Sequence, residues 1–184
     1  VIGLIESPDG SKCLLGRSKN YPKGMYTCLS GFVEQCESVE EAFAREVMEE
    51  AGVQLRNITV LASQPWPIGR AGSCELMLGC YAVACSDVVN VNTAELESAR
   101  WFTKAEVRDM LARSTSGNPY SAQDGLLFVP PPFAIAHHLI KKFATKESAS
   151  DASSVPTKYA IVAVIASIFT GFVLAQMRRP LSKC

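Results

Sequence analysis

Positions 1–6 form a short apolar run that stops at Pro8-Asp9-Gly10, and an apolar stretch resumes over 12–15. Two such runs around a turn signal predict a β-hairpin. A third short strand is expected over 26–29. From Ser38 the spacing changes: Glu41 follows three residues later in a capping-box arrangement, apolar positions recur at helical intervals to Ala51, and Gly52 stands where a C-terminal cap is expected. This predicts a helix over 38–51. Segments 58–63, 75–85 and 99–102 read as strands, and 104–111 as a short helix that Thr103 can cap. After Pro130-Pro131-Pro132, apolar positions at helical spacing predict a last helix over 134–144. Strands and helices interleave, which predicts an α/β or α+β domain over 1–144.

Beyond that domain the pattern breaks. Residues 145–158 are rich in Ser and Ala with interspersed charges and a proline, the composition of a flexible linker. Positions 159–177 carry no charged residue and lie between Lys158 and Arg178-Arg179. At about 1.5 Å per residue a helix of that length approaches the ~30 Å of a bilayer core. A single transmembrane helix is therefore expected, followed by a short basic tail over 178–184; the rival is a buried core helix, which needs protein on all sides. A span so placed enters the membrane after synthesis and leaves the domain on the cytosolic face, although similar Lys and Arg counts on the two sides do not fix orientation. Ser182-Lys183-Cys184 is close to the peroxisomal tripeptide S-K-L, so the mitochondrial outer membrane and the peroxisome are both candidate locations.

The 184 residues are 48% hydrophobic and 20% charged, which excludes a disordered or collagen-like chain. Lys and Arg number 18 against 18 Asp and Glu, so no net basic field draws nucleic acid and any anion must be met locally. The chain opens on Val1 and runs into an apolar stretch without a secretory signal, as though cut at a first strand. Seven cysteines include no C-x-x-C pair, so zinc is not expected, and they read as small core hydrophobes in a reducing compartment.

The candidate chemistry lies on the helix over 38–51. On a wheel stepping about 100° per residue, Glu49 and Glu50 fall within about 60° of Glu46, and Val39, Ala42 and Phe43 share that stripe. The face carrying three acids is then the inward one, where bare carboxylates repel each other and are costly to desolvate. A hard divalent cation, Mg²⁺ or Mn²⁺, suits such oxygen donors. The competing reading is a solvated acidic stripe.

The surrounding spacing favours the first reading. Gly31, Glu37 after five residues, and after seven more Arg45-Glu46-Val47-Met48-Glu49-Glu50-Ala51-Gly52-Val53 match the Nudix box G-x5-E-x7-R-E-U-x-E-E-x-G-U at every fixed position. The resemblance implies an α/β/α sandwich with a mixed sheet that hydrolyses a nucleoside diphosphate linked to another moiety. It implies Glu46 and Glu50 as principal metal ligands, Glu49 as a further ligand or proton acceptor, and the Ser30 carbonyl as another metal contact. Gly31, Glu37, Arg45 and Gly52 are then structural, with Arg45 and Glu37 orienting loop and helix through an ion pair.

Ser63, Gln64, Pro65, Trp66 and Pro67 resemble the start of the S-Q-P-W-P-F-P-x-S array of the NADH pyrophosphatase branch. Ile68-Gly69-Arg70-Ala71 replaces the remainder, and the loop to Leu76-Met77 is about three residues longer. The alternative is a rigid Pro-flanked turn with Trp66 in the core. The segment from Glu95 to Phe102 is similar to the branch's E-x-x-E-A-x-W, which implies Glu95 as an extra metal ligand with Glu97 as runner-up. Pro130 to Ile140 is similar to its P-P-x-x-A-I-A-x-x-L-I, which places Ala136 at the substrate. His137 and His138 point about 100° apart on a helix and read as surface or packing residues.

These resemblances imply hydrolysis of NADH or NAD⁺, and of NAD-capped RNA, to AMP and nicotinamide mononucleotide, with a homodimer as a further expectation. ADP-ribose or nucleotide-sugar hydrolysis and a non-catalytic, membrane-tethered dinucleotide-binding module are the alternatives.

Overall fold

Every residue of β1 (Ile2–Glu6) is buried, the mark of a strand covered on both faces. Its side chains alternate between two cores. Ile2 and Leu4 join Cys13, Leu15, Phe102, Met110, Ile140 and Phe143 on one side of the sheet. Ile5 joins Leu14, Leu29, Phe43, Val47, Cys80 and Ala82 on the other. The period of two thus builds a three-layer α/β/α arrangement directly. The computed structural model describes residues 1–67, 69, 72–115 and 125–146.

Six strands make one mixed sheet: β1, β2 (Lys12–Arg17), β3 (Leu29–Ser30), β4 (Leu55–Trp66), β5 (Glu75–Ala84) and β6 (Ser98–Thr103). The order is β4-β5-β1-β2-β6, with β3 pairing β1 off this path. The β1–β5 pair is parallel and the other pairs are antiparallel. Helix α1 (Val39–Ala51) covers the face built on Phe43 and Val47, whereas α2 (Lys104–Thr115) and α3 (Ile135–Thr145) cover the other. The hairpin at Pro8-Asp9-Gly10 forms as expected, with Ile5 opposite Leu14 and Glu6 opposite Cys13.

Three expectations change. The strand expected over 26–29 contracts to Leu29–Ser30, because Met25 and Thr27 form isolated bridges to Phe128 and Gly16 instead of continuing a ladder. The strand expected over 58–63 extends to Leu55–Trp66 and takes in most of the proline-flanked array. It lies at the sheet edge, where Pro65 needs no ladder N–H on its outer side, and it is bulged between Arg56 and Thr59 and again between Val60 and Ala62. The helix expected over 104–111 runs on to Thr115. Its start carries a second capping box, Thr103 and Glu106 each accepting from the other's backbone N–H.

Of the cysteines, Cys13, Cys28 and Cys80 are buried as expected, while Cys36, Cys74 and Cys85 are exposed, so the core reading fails for these three. They stand in the loop before α1, just ahead of β5 and just after it, where no sheet face covers them.

A compact unit spans Val1–Lys146. Thr145, assigned to the linker from sequence, is the last residue of α3. Lys146 donates to both oxygens of buried Glu6, at 3.1 and 2.9 Å, and Lys104 donates to the Lys146 carbonyl at 2.8 Å. The rest of the linker, the transmembrane helix expected over 159–177 and the tail over 178–184 lie outside the described residues, as does Cys184. Among the described residues no helix is long and apolar enough to cross a membrane.

Phe43 is fully buried between α1 and the sheet. Phe43→Ala is expected to lower the unfolding free energy by about 3–5 kcal/mol, the usual cost of emptying a site of that size; chemical denaturation followed by circular dichroism checks it.

Candidate active site

Both halves of the capping box on α1 are present. Ser38 Oγ accepts from the Glu41 N–H at 3.2 Å, and the Glu41 carboxylate accepts from the Ser38 N–H at 2.8 Å. At the other end Gly52 takes the left-handed conformation, φ 65°, and its N–H returns to the Met48 carbonyl. Fixed at both ends, the helix sets the rotation of its acids.

Glu50 points inward and is 8% exposed. Glu46 is half-buried beside it, but Glu49 faces solvent with half of its side chain exposed. The expectation that all three acids share the inward face is therefore corrected for Glu49. The reason lies in where the core is: relative to Glu46, Phe43, Val47 and Glu50 fall on one side of the wheel, by about 40° to 100°, and Glu49 falls about 60° to the other.

The backbone N–H of Ser30 donates to the Glu50 carboxylate, while Glu50 Oε2 is buried with no hydrogen-bond partner. Burial pushes the Glu50 carboxyl up to about 8; the Ser30 N–H opposes this, and the negative charges of Glu46 and Glu95 add to it. Ser30 faces Ile2 across the β1–β3 pair, and the Gly31 N–H donates to the Val1 carbonyl. Successive residues of a strand turn their polar groups to opposite edges, so the Ser30 carbonyl lies on the edge that serves Glu50. Gly31 leaves room beside it, because a Cβ there would fall 1.8 Å from the Glu46 carboxyl carbon and displace that carboxylate.

Arg45 binds the loop ahead of α1. Its guanidinium meets Glu37 at 2.7 and 3.1 Å, the Phe32 carbonyl at 2.9 Å, Glu46 at 3.1 Å and Glu49 at 3.5 Å. This fork holds the Glu37 carboxyl well below the usual range.

Glu46, Glu50, Glu95 and Ser30 line one cavity of about 500 Å³. Glu95 is exposed and accepts from Asn92 Nδ2 at 2.9 Å. Glu97 does not line it; its carboxylate pairs with Arg17 at 3.2 Å. Among the described residues no three His, Cys, Asp or Glu side chains are gathered into a cage that could hold a metal unaided. That suits Mg²⁺ or Mn²⁺, which keep several waters and take one or two carboxylates plus substrate oxygens. The orphaned oxygen of Glu50, beside a second carboxylate and a backbone carbonyl, is a hard-donor set that fits such an ion.

A second cavity of about 310 Å³, largely apolar, contains Gln64, Trp66, Phe133 and Ala136 and also reaches Ser30 and Tyr21. A third, of about 650 Å³, joins the Ser30 and Gly31 region to Trp66. Strand alternation sorts the array: Gln64 and Trp66 are half-buried, whereas Ser63, Pro65 and Pro67 are exposed and line none of these cavities. Trp66 is at the cavity wall, stacked near-parallel to Phe133 with centroids 6.1 Å apart, so neither the turn nor the buried-core alternative describes it. Ile68, Arg70 and Ala71 lie outside the described residues.

Some residues of the site carry no sequence signal of their own. Tyr21 enters all three cavities from the 18–26 loop, and Phe32 enters two of them next to Gly31. Phe133, 63% exposed, is visible beforehand only as one more apolar residue in the proline cluster. Gln64 does a task that its place in the array does not reveal. Its amide donates to the Phe133 carbonyl and accepts from the Ile135 N–H, both at 2.7 Å, and so caps α3, whose N-cap Ala134 offers no side-chain oxygen. His137 is buried against the Pro130 carbonyl at 2.8 Å, and its neighbour His138 is exposed.

The family model of the NUDIX domain matches residues 1–123. This chain belongs to the Nudix family. The chain is 46% identical over 141 residues to the NAD-capped RNA hydrolase NUDT12 of Homo sapiens, covering 77% of this chain and 28% of that protein. It is 43% identical to the mitochondrial NAD(P)H pyrophosphatase NUDT13 of Mus musculus, covering 82% and 42%, and 38% identical to the NAD-capped RNA hydrolase NudC of Mycobacterium bovis, covering 80% and 45%. It thus falls in the NADH pyrophosphatase branch and spans less than half the length of these relatives. Among solved structures, the NUDIX domain of Shewanella oneidensis NrtR complexed with ADP ribose superposes with a TM-score of 0.53 at 19% identity, over 77% of this chain and 82% of that one. A NUDIX hydrolase from Nitrosomonas europaea also gives 0.53 at 19%, over 81% and 90%. Both share the Nudix fold.

The Glu50 carboxyl has a testable pH signature. Without metal, the unfolded chain loses this proton near 4.5 and the folded chain only near 8, so the unfolded state is favoured increasingly as pH rises across that window. Metal-free protein is expected to lose roughly 1–3 kcal/mol of stability between pH 5 and 8.5. Glu50→Gln is expected to flatten that loss, and Mg²⁺ or Mn²⁺ to restore stability at pH 8.5 in the parent chain but not in the variant; urea titrations at the two pH values check this.

Proposed function

We propose that this Nudix domain hydrolyses the pyrophosphate bond of NADH or NAD⁺, releasing AMP and nicotinamide mononucleotide, with Mg²⁺ or Mn²⁺ as cofactor and NAD-capped RNA as a larger substrate of the same chemistry. One observation carries the reading: Glu50, one of whose carboxylate oxygens is buried without a partner, lines with Glu46 a cavity that continues, past Ser30, to the aromatic wall at Trp66. Acidic and aromatic ends so joined suit a ligand with a diphosphate at one end and a flat ring at the other. The printed names of the relatives, NAD-capped RNA hydrolase and NAD(P)H pyrophosphatase, support the same class.

A divalent ion supplies charge withdrawal from the diphosphate oxygens and a bound water of lowered pKa. Glu46 and Glu50, with the Ser30 carbonyl, would hold it, and Glu95 extends the acidic wall. Glu49 pairs with Arg45 and lines none of the three cavities, so its role as a proton acceptor or further ligand rests on its place in the motif. Arg45 keeps the Gly31 loop against the helix, so that Glu46 and Ser30 meet across the cavity. Trp66 offers a ring face for stacking, and Ala136 contributes a small side chain that leaves room beside it.

A second specificity, ADP-ribose or a nucleotide sugar, draws support from the departure at positions 68–71. We further propose that residues 159–177, free of charge, span a membrane and tether the domain on its cytosolic side, at the mitochondrial outer membrane or the peroxisome. Imaging this segment fused to a fluorescent protein tests that assignment, and a diffuse signal would remove it.

A product assay on the chain with NADH, NAD⁺ and ADP-ribose, with and without Mg²⁺ or Mn²⁺, tests the activity. AMP and reduced nicotinamide mononucleotide are expected from NADH, with Glu50→Gln lowering kcat by about 10²–10³-fold and Trp66→Ala raising KM about tenfold. Cleavage of ADP-ribose alone would select the second specificity. Tight NADH binding without product, unchanged in Glu50→Gln, would make the domain a binding module.

A further inference from the structure

Arg17 is a charged residue at the end of β2, yet it is 8% exposed. Burial of a guanidinium on this scale is costly unless its fork is filled, and here it is filled by the chain's own loop. Gly16 and Thr27 exchange backbone hydrogen bonds at 2.8 and 2.9 Å and so close the intervening 17–26 segment into a loop. Inside it the guanidinium donates to the carbonyls of Tyr21, at 3.2 Å, of Pro22, and of Met25, at 3.5 Å. Its Nε pairs with Glu97 at 3.2 Å, and the Glu97 N–H donates to the Arg17 carbonyl at 2.8 Å. A second tie crosses alongside, with Lys19 Nζ donating to the Thr93 carbonyl at 2.9 Å.

The two segments joined in this way both line the acidic cavity. The loop supplies Ser18, Asn20 and Tyr21 to its lining, and the segment tied to it supplies Ala94, Glu95 and Leu96. Tyr21 also reaches the cavities that contain Trp66. Residues 18–25 form no regular ladder; Gly24 and Met25 are held by Phe128 at the far end of the loop, and turns run from Tyr21 to Ser18 and from Met25 to Pro22.

We infer that Arg17 is a positioning residue for substrate: by filling the loop with hydrogen bonds and tying it to Glu97, it sets the position of Tyr21 relative to Glu95 in the lining of the cavity. Arg17 itself lines none of the three cavities. Lysine cannot replace it, since a single ammonium carries one nitrogen where the loop carbonyls and Glu97 engage three nitrogens of a rigid fork. The inference rests on the proposed dinucleotide hydrolysis for its kinetic consequence.

The test compares the full chain with Arg17→Lys in steady-state NADH hydrolysis, in AMP affinity by calorimetry, and in amide exchange. Arg17→Lys is expected to raise KM about tenfold and to weaken AMP about as much, with kcat within about twofold. Exchange over 18–26 is expected to accelerate at least about tenfold, with α1 unchanged. A purely structural role would instead lower kcat through loss of active protein and leave KM alone. A folded Arg17→Lys with KM and AMP affinity within about twofold of the parent overturns the inference. If Arg17→Lys does not fold, Glu97→Gln combined with Lys19→Met replaces it: a KM rise of about threefold or more supports the inference, and an unchanged KM overturns it. Should the parent chain cleave no dinucleotide, the functional reading fails on that result alone, and the AMP affinities and exchange rates still decide the role of Arg17.

Discussion

A carboxylate forced into an apolar interior is the constraint on which the rest of this structure turns. Glu50 lies on the same helix face as Phe43 and Val47, so the packing that stabilises the domain is also what drags the acid out of water. The fold answers half of that demand with the Ser30 N–H and leaves the other oxygen unanswered. Everything nearby arranges itself around this deficit. Gly31 gives up a side chain so that Glu46 can lie close, and Arg45 gathers Glu37, Glu46 and Glu49 on the outer side without reaching Glu50. An interior that holds a half-satisfied acid near a second carboxylate is suited to exchange that acid's proton for a cation.

The sheet makes this arrangement rigid. Because β1 buries both faces, α1 and the α2–α3 pair are fixed relative to each other through one strand, and the acidic and aromatic ends of the cavity inherit that fixity. Gln64 extends the same logic to the far wall, since a single amide joins the edge strand to the first turn of α3 and so ties Trp66 to Ala136.

Local signals made much of the fold legible in the sequence. The Ser38–Glu41 box and Gly52 bound α1 as the pattern requires, and Pro8-Asp9-Gly10 marks the hairpin. What escaped depends on partners distant in the chain. The short strand before Gly31 is broken by bridges to Gly16 and Phe128, contacts with no sequence signature. The prolines of Ser63 to Pro67 admit a rigid turn as an alternative and stop the expected strand at Ser63, but an edge position tolerates Pro65 and lets β4 continue. Glu49 was assigned inward from its angle to Glu46, when the deciding angle is the one to the core at Phe43 and Val47. Motif positions located the acids of the site, whereas Tyr21 and Phe133 enter it through loop geometry that only the folded chain defines.

The end of the domain is fastened in a way that bears on mechanics. The Lys146 ammonium donates to both carboxylate oxygens of buried Glu6, and the Lys146 carbonyl accepts from Lys104. Tension arriving along the backbone past residue 146 would be delivered to the middle of the sheet, where β1 resists in shear through β2 and β5 on either side.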